Sequence, residues 1–247
     1  MCSFKLMPTL FLGLTEFQNA AAHKVAFESS WVQAQSMFFL VSPMIDLLNA
    51  PAFSLFGLPA SWAELLGAVL GVAMVVCNIR QIHWGWPLAF ASSLLYVLVF
   101  ADAKLYAEAT LQIFFAATAL WGWWQWLRGK SADGKALQIQ HLNSKVTINL
   151  IAISLVLITA IGLFLINLTN SDVPWWDALP TALSLVATWL LGRKYLENWP
   201  LWIIVNLISI VLFAYKGLGL TVGLYAVFAI MAAVGWRAWA RAMKAQA

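Results

Sequence analysis

The sequence predicts an all-helical membrane protein, and three observations lead to this prediction. Of the 247 residues, 63% are apolar and only 10% are charged, and the mean hydropathy is +0.83. Apolar runs long enough to cross a bilayer recur along the chain. An internal repeat groups six of these runs into two sets of three. We therefore expect a 3+1+3 transmembrane helix bundle, in which two parallel three-helix repeats are joined by a single helix.

Seven apolar runs are candidate spans, because a transmembrane helix needs about 20 mostly apolar residues. Their ranges are 65–79, 85–101, 109–127, 146–168, 178–192, 199–215 and 218–236. Such runs leave little chain for a soluble domain. The expected units are an extension at 1–60, the first repeat at 61–130, a cytoplasmic loop and linker helix at 131–173, and the second repeat with a cytoplasmic tail at 174–247.

The amino-terminal extension leaves two alternatives open. A further apolar run at 31–50 contains Pro43 and Asp46, and proline removes a helical hydrogen bond that lipid cannot replace. Whether this run forms an extra transmembrane helix therefore stays open. Residues 1–30 are compatible with a cleavable signal peptide, although we favour an uncleaved leader or an interfacial helix.

The cysteines and histidines do not support an enzyme or a metal site. Cys2 and Cys77 are the only cysteines, and Cys77 falls inside a predicted helix, so neither a disulfide framework nor a thiolate site is indicated. The three histidines, His23, His83 and His141, lie in loop or terminal segments and do not have the spacing of metal ligands. We predict no catalytic residue, no metal and no cofactor.

The distribution of basic residues predicts the orientation, because cytoplasmic loops carry an excess of Lys and Arg. If every candidate spans, Lys104 and Lys216 fall on one side of the membrane. The other side holds Arg80, Arg128, Lys130, Lys135, Lys145, Arg193, Lys194, Arg237, Arg241 and Lys244. The carboxyl terminus is therefore expected in the cytoplasm. Topological signals and contacts with anionic lipid account for these cations without a nucleic-acid partner.

The internal repeat aligns 64–128 with 177–241 without a gap, and 18 of the 65 positions are identical. In this repeat alignment the uncommon residues coincide, for example Trp86 with Trp199 and Gly122 with Gly235. Since each repeat has three spans, the unmatched run at 146–168 returns the chain across the membrane. Parallel repeats of this kind predict a substrate site between them and alternating access by rocking of one repeat against the other.

Polar and aromatic stripes on the predicted helices indicate which faces turn toward that site. Their spacing places each set on one helical face. The candidate substrate-binding residues are Trp202, Asn206, Gln112, Tyr96, Thr181, Ser184, Thr188, Asn78, Trp199 and Tyr225. Alternatives stay open: the hydroxyls can bond to helical carbonyls, Asn206 and Gln112 can form structural bonds between helices, and several Trp residues can anchor the chain at the membrane interface.

The composition of these stripes predicts the kind of substrate. No repeated acidic, His or Arg pair lies deep in the helices, so a proton relay, a sodium cage or an anion clamp is not indicated. Indole faces attract flat cations by about 0.5–2 kcal/mol each. We therefore expect a neutral molecule or a delocalised cation, and a nucleoside-like vitamin would suit such walls.

Three motifs together resemble a known family, the bacterial nicotinamide riboside transporters called PnuC. They are Trp199-x-x-Trp202-x-x-x-Asn206, Gly122-Trp123-Trp124-x-Trp126, and the segment from Asp177 to Arg193. The resemblance covers about residues 60–240. It implies a fold like that of a full-length SWEET sugar transporter, a bacterial inner-membrane location, and facilitated diffusion of nicotinamide riboside, which a cytoplasmic kinase traps by phosphorylation.

Other functions and assemblies stay open beside this resemblance. A related carrier for thiamine or riboflavin, a SWEET-like sugar transporter, and a sensor or scaffold that binds without transporting are the alternatives. The expected partners are a small-molecule substrate and the lipid bilayer, and a homo-oligomer such as a trimer is also expected. Counterflow in liposomes separates a carrier from a sensor.

Overall fold

The computed structural model describes residues 43, 46–48, 50–55, 58–102, 106–130, 134, 136–169, 172–215 and 219–246. The chain divides into two units, 1–50 and 51–247. The leader expected at 1–30 lies outside the described residues, and so does most of the candidate span at 31–50. The second unit contains both repeats and the helix between them.

This unit begins with a short antiparallel hairpin that the sequence analysis did not predict. Strand β1 is Pro51–Leu55 and strand β2 is Leu58–Ser61, with Leu55 opposite Leu58. Ser61 then caps the first helix: its Oγ accepts a hydrogen bond from the Glu64 amide at 3.2 Å, and the Glu64 carboxylate accepts one from the Ser61 amide at 2.7 Å. This capping box sets where the helix starts.

Seven helices follow, and each contains most or all of one predicted apolar run. They are α1 Trp62–Ile79, α2 Gly85–Asp102, α3 Tyr106–Arg128, α4 Ser144–Leu168, α5 Pro174–Gly192, α6 Asn198–Tyr215 and α7 Gly219–Gln246. By length and composition, four stretches of the described chain are long and apolar enough to cross a membrane, within α1, α4, α6 and α7, and α2 includes a shorter apolar helix. The chain is a multi-pass membrane protein.

The helices pack in an order that follows the internal repeat. Within each repeat the consecutive helices are neighbours, α1 with α2 and α2 with α3, and likewise α5 with α6 and α6 with α7. Between the repeats, α1 packs on α7 and α3 packs on α5. These two interfaces are equivalent under the repeat alignment. The repeats therefore meet twice, through corresponding helices.

Two glycines allow equivalent close approaches within the repeats. A Cβ atom added at Gly122 of α3 would overlap the ring of Trp86 of α2, and one added at Gly235 of α7 would overlap the ring of Trp199 of α6. Only glycine lets the backbone come this close to an indole. The two large rings are therefore held in place by corresponding helix crossings.

Helix α4 stands apart from the repeats. Its main neighbour is α5, where Gly162 lies against the ring of Trp175. Most of its other apolar side chains are exposed, as Leu155 and Val156 illustrate. In a membrane this apolar surface faces lipid or another protein.

Candidate substrate cavity

A cavity of about 260 Å³ lies between the two repeats, and all six repeat helices contribute to its wall. Eight pairs of lining residues are related by the repeat alignment. The pairs are Val75 and Thr188, Asn78 and Leu191, Trp86 and Trp199, Ala89 and Trp202, Ser92 and Val205, Ser93 and Asn206, Phe115 and Phe228, and Ala119 and Ala232. The same positions of both repeats thus form one cavity.

Among these pairs, aromatic residues are matched by the same residue in the other repeat more often than polar residues are. Trp86 matches Trp199 and Phe115 matches Phe228, whereas Asn78 matches a leucine and Trp202 matches an alanine. The cavity is therefore pseudo-symmetric in shape but asymmetric in hydrogen-bonding groups. A ligand held there is expected to have one preferred orientation.

Several polar atoms in the wall have no partner within the described part of the chain. The indole Nε1 atoms of Trp86 and Trp199 are such atoms, and so is Oδ1 of Asn78, whose Nδ2 lies 3.0 Å from the Met74 sulfur. Each of these three residues is about 3% exposed. Because an unpaired buried polar group is costly, these two donors and one acceptor would gain from a hydrogen-bond partner such as a ligand or water.

Most of the residues that the sequence analysis selected reach this cavity. Trp202, Asn206, Ser184, Thr188, Asn78, Trp199 and Tyr225 line it. Two of them, Asn206 and Asn78, are buried amides on opposite repeats. Their contact with substrate stays a prediction.

The hydroxyl stripe of α5 bonds to its own helix. The Oγ atoms of Thr181, Ser184 and Thr188 donate to the carbonyls of Asp177, Pro180 and Ser184 at 2.8, 2.7 and 2.8 Å. Their protons are therefore used within α5. Toward a ligand, Ser184 and Thr188 offer only acceptor lone pairs.

Three predicted residues do not line the cavity. Thr181 lies three residues before Ser184 on α5, and Gln112 lies three residues before Phe115 on α3. Tyr96 packs its ring over Gly67 of α1. All three lie outside the cavity as the structure shows it.

The sequence analysis also left out several lining residues. Trp86 and Ser93 are the repeat mates of Trp199 and Asn206, so the repeat alignment applied to the selected residues would have found both. Met74 and Thr118 line the cavity without a lining mate, and no pattern in the sequence marks them.

A row of four indoles lies beside the cavity and is formed by residues of α2, α3, α6 and α7. The ring centroids are 5.7 Å apart for Trp86 and Trp126, 6.2 Å for Trp126 and Trp239, and 5.5 Å for Trp239 and Trp199. The two end pairs have edge-to-face geometry, and they are repeat equivalents. Trp239 is fully buried.

The central two indoles also join the repeats by hydrogen bonds. Trp126 Nε1 of the first repeat donates to the Leu191 carbonyl of the second at 3.1 Å. Trp239 Nε1 of the second repeat donates to the Asn78 carbonyl of the first at 3.0 Å. Under the repeat alignment, these two bonds are the same bond made in both directions. They join the two repeats beside the cavity.

A known family matches this chain over both repeats. Residues 61–241 match the family described as nicotinamide mononucleotide transporter. The chain belongs to this family. The resemblance to PnuC found in the sequence is thereby confirmed.

Two relatives in this family differ in the substrate that their names state. The nicotinamide riboside transporter PnuC of Escherichia coli (strain K12) is 29% identical over 208 residues, covering 74% of this chain and 87% of that protein. The riboflavin/roseoflavin transporter RibM of Streptomyces davaonensis is 31% identical over 198 residues, covering 79% and 92%. These relatives are transporters and not enzymes.

A solved structure shares the fold. The crystal structure of the vitamin B3 transporter PnuC superimposes with a TM-score of 0.63 at 24% identity, covering 90% of this chain and 93% of that chain. The likeness extends over both repeats and the helix between them. The bundle is thus a PnuC-type membrane fold.

Proposed function

We propose that the protein carries nicotinamide riboside across the membrane. The observation that carries this proposal is the cavity between the repeats, with the indoles of Trp86, Trp199 and Trp202 and the amides of Asn78 and Asn206 in its wall. A pyridinium ring is a flat delocalised cation and stacks on indole. Its carboxamide and its ribose hydroxyls match the unpaired indole donors and the Asn78 acceptor.

The charge of the wall favours the riboside over the mononucleotide in the family's description. Among the described residues that line the cavity there is no Arg, Lys or His. A phosphate buried there would lose its hydration without gaining a cation, which is costly. The uncharged ribose of the riboside avoids this loss.

The size of the cavity favours a ligand smaller than riboflavin. Ligand sites in proteins usually enclose about 300–1,000 Å³, and this cavity, at about 260 Å³, lies just below that range. Riboflavin has three fused rings. It is the second candidate, because RibM is a relative with 31% identity, and thiamine, a smaller cation, is the third.

The proposed mechanism is uniport by alternating access in a 3+1+3 bundle with parallel repeats. The equivalent α1–α7 and α3–α5 interfaces support this arrangement, as does the lack of a repeat mate for α4. No Asp or Glu lies among the described lining residues, so no coupling ion is needed in the proposal. In the direction of uptake, a cytoplasmic kinase would trap the product by phosphorylation.

The proposed setting is the bacterial inner membrane, with the carboxyl terminus in the cytoplasm. The basic residues beside the indole row support this orientation, because Arg80, Arg128, Arg193 and Arg241 each follow by two positions one of the residues that form the two reciprocal bonds. A homo-oligomer is proposed as well, and the exposed apolar side of α4 offers it a surface.

Calorimetry and counterflow together test the substrate. The purified protein in nanodiscs is titrated with nicotinamide riboside, its mononucleotide, thiamine and riboflavin, and proteoliposomes preloaded with the best binder are assayed for counterflow. We expect the riboside to bind most tightly and to exchange. Tighter binding of riboflavin or of the mononucleotide would overturn the assignment, and binding without counterflow would indicate a sensor.

A matched pair of variants locates the binding site. Asn206→Ala removes a buried amide from the cavity wall, whereas Asn167→Ala removes an exposed amide on α4 that bonds only to the Leu163 carbonyl of its own helix. We expect the first variant to bind the riboside at least about tenfold more weakly. Equal affinity of the two variants would remove Asn206 from the site.

A further inference from the structure

The two interfaces between the repeats are equivalent in their central hydrogen bond but not in the contacts around it. Trp126 bonds to Leu191 across the α3–α5 interface, and Trp239 bonds to Asn78 across the α1–α7 interface. Beyond these bonds, the described residues form further polar side-chain contacts at only one of the two interfaces. This difference arises because equivalent positions of the two repeats hold different residues.

The α3–α5 interface carries additional polar contacts from the two residues that follow α5. Arg193, which ends α5, donates from Nη1 to Oε1 of Gln125 on α3 at 3.1 Å, and Gln125 is buried. The next residue, Lys194, places its Nζ 4.9 Å from the centroid of the Trp126 ring. A hydrogen bond from a guanidinium and a cation over an indole are both stronger than neutral contacts.

The segment before α4 is hydrogen-bonded to the loop between α5 and α6, which contains Lys194. The Gln140 amide donates to the Lys194 carbonyl at 3.1 Å, and the Leu196 amide donates to the Gln140 carbonyl at 3.0 Å. One step along the chain, His141 Nδ1 lies 2.8 Å from a carboxylate oxygen of Glu197. The linker is thus tied to the loop between α5 and α6.

At the α1–α7 interface, the turn after α1 has the same backbone conformation as the turn after α5, but the side chains differ. Gln81 and Lys194 are repeat mates, and both have a positive φ, 57° and 55°. Arg80 corresponds to Arg193 but is exposed and bonds to no described side chain. The mate of Gln125 is Ala238, which offers no side-chain acceptor.

We propose that Gln125, Arg193 and Lys194 act as positioning residues of the transport cycle: they keep the α3–α5 interface closed as a hinge, so that the cavity opens between α1 and α7. The proposal rests on the chain being a carrier with alternating access. Opening then breaks the Trp239 bond to Asn78 and leaves the Trp126 bond to Leu191 intact. The ligand passes beside Asn78, a residue of the cavity wall.

Hydrogen–deuterium exchange of the wild-type protein in nanodiscs tests this asymmetry without a ligand. The segments 76–82 and 189–195 are repeat equivalents, so their exchange rates compare the two interfaces directly. We expect the first segment to exchange about tenfold faster, the factor that one bond to a charged group produces. Equal rates, or faster exchange in 189–195, would overturn the hinge.

Two substitutions test the asymmetry by adding a side-chain acceptor at one interface and removing it from the other. Ala238→Gln offers Arg80 the acceptor that Arg193 already has, and Gln125→Ala removes that acceptor. We expect Ala238→Gln to slow exchange in 76–82 and to lower the counterflow rate about tenfold with an unchanged Kd, because it closes the opening side. Gln125→Ala should speed exchange in 189–195, and the conservative Gln125→Glu, which keeps an acceptor, should restore it.

The outcomes separate this proposal from the substrate assignment. If no vitamin exchanges across the membrane, the proposed carrier function is wrong, whereas deuterium exchange still compares the stability of the two interfaces. If a vitamin exchanges and Ala238→Gln leaves both the exchange in 76–82 and the counterflow rate unchanged, the opening between α1 and α7 is wrong and the substrate assignment stands.

Discussion

The indole N–H of Trp239 donates to the main-chain carbonyl of Asn78 at 3.0 Å, across 161 residues of sequence. The bond joins the last helix of the second repeat to the end of the first helix of the first repeat. Because the Asn78 side chain lines the cavity, the same residue contributes its main chain to the contact between the repeats and its side chain to the cavity wall. In the proposed transport cycle, this residue would couple the opening to ligand binding.

Loss of the Trp239 indole donor should lower the stability of the protein and leave the residues that line the cavity unchanged. Trp239→Phe keeps an aromatic ring but removes one of the hydrogen bonds to the Asn78 carbonyl, which also accepts from the Gln81 amide at 3.1 Å. The loss of one such bond costs about 0.5–1.5 kcal/mol. We expect a lower midpoint in thermal unfolding of the detergent-solubilised protein. Trp236→Phe, at an exposed position of the same helix, should change it little, and equal midpoints for the two variants would contradict the role of the bond.

A methyl group at Gly235 should displace an indole of the cavity wall. Gly235→Ala places a Cβ against the ring of Trp199, and overpacking of this kind costs about 1–3 kcal/mol. We expect lower stability and weaker ligand binding. Gly223→Ala, on the same helix with nothing within 4 Å of its added Cβ, is the matched control and should be neutral or slightly stabilising; a similar loss in both variants would show that the helix, and not Trp199, is responsible.

Trp202 should account for the asymmetric stacking of the ligand. Its repeat mate is Ala89, so Trp202→Ala makes the two halves of the wall alike. We expect affinity for nicotinamide riboside to fall about tenfold, the effect of losing one cation–π contact of about 1–2 kcal/mol. Titration calorimetry measures it, with Trp176→Ala at an exposed position as the control. An unchanged affinity in Trp202→Ala would place the ring of the ligand elsewhere.

The stability of the protein should increase with pH in the alkaline range because of Lys194. Burial in the loop between α5 and α6 lowers the pKa of Lys194 below its usual value of 10.5. Between the folded-state and unfolded-state pKa values, the unfolded chain binds more protons, so the free energy of unfolding rises as pH rises through this window. The contribution is complete only above the unfolded-state pKa.

Lys194→Gln checks this prediction, because Gln81 shows that glutamine adopts the same positive φ at the equivalent position. Unfolding by denaturant is followed from about pH 7.5 to about pH 10 in both proteins, a range set by the direction of the shift. The wild-type protein should gain more stability over this range than the variant. Parallel pH profiles would mean that Lys194 does not titrate differently in the folded state.

The positions of the helices were largely predictable, and their ends were not. Apolar runs locate α1 to α7 because lipid requires helices there. The start of α1 depends on the capping box at Ser61, and α7 continues beyond the predicted end at 236, through a charged segment, to Gln246. The hairpin at 51–61 was missed, since the segment has no alternating pattern and holds two prolines.

The sequence predicted which helix faces turn toward the cavity, but not which residues along each face line it. The stripe from Thr181 to Thr188 identifies the face of α5 that turns inward. It does not say how far the cavity extends along the helix, and three residues correspond to about 4.5 Å of rise. Thr181 and Gln112 share faces with lining residues and still lie outside the cavity for this reason.

The sequence by itself determined the membrane environment, the seven apolar helices between residues 62 and 246 and the repeat, because hydropathy and identity at a fixed spacing are properties of the chain alone. Only the tertiary structure decided which residues of the two repeats meet. The reciprocal bonds of Trp126 and Trp239, and the contact of Arg193 with Gln125, depend on how closely the helices cross. At the α3–α5 interface that approach depends on packing at Gly192, where an added Cβ would overlap the ring of Trp121, and packing between distant segments leaves no periodic signal in the sequence.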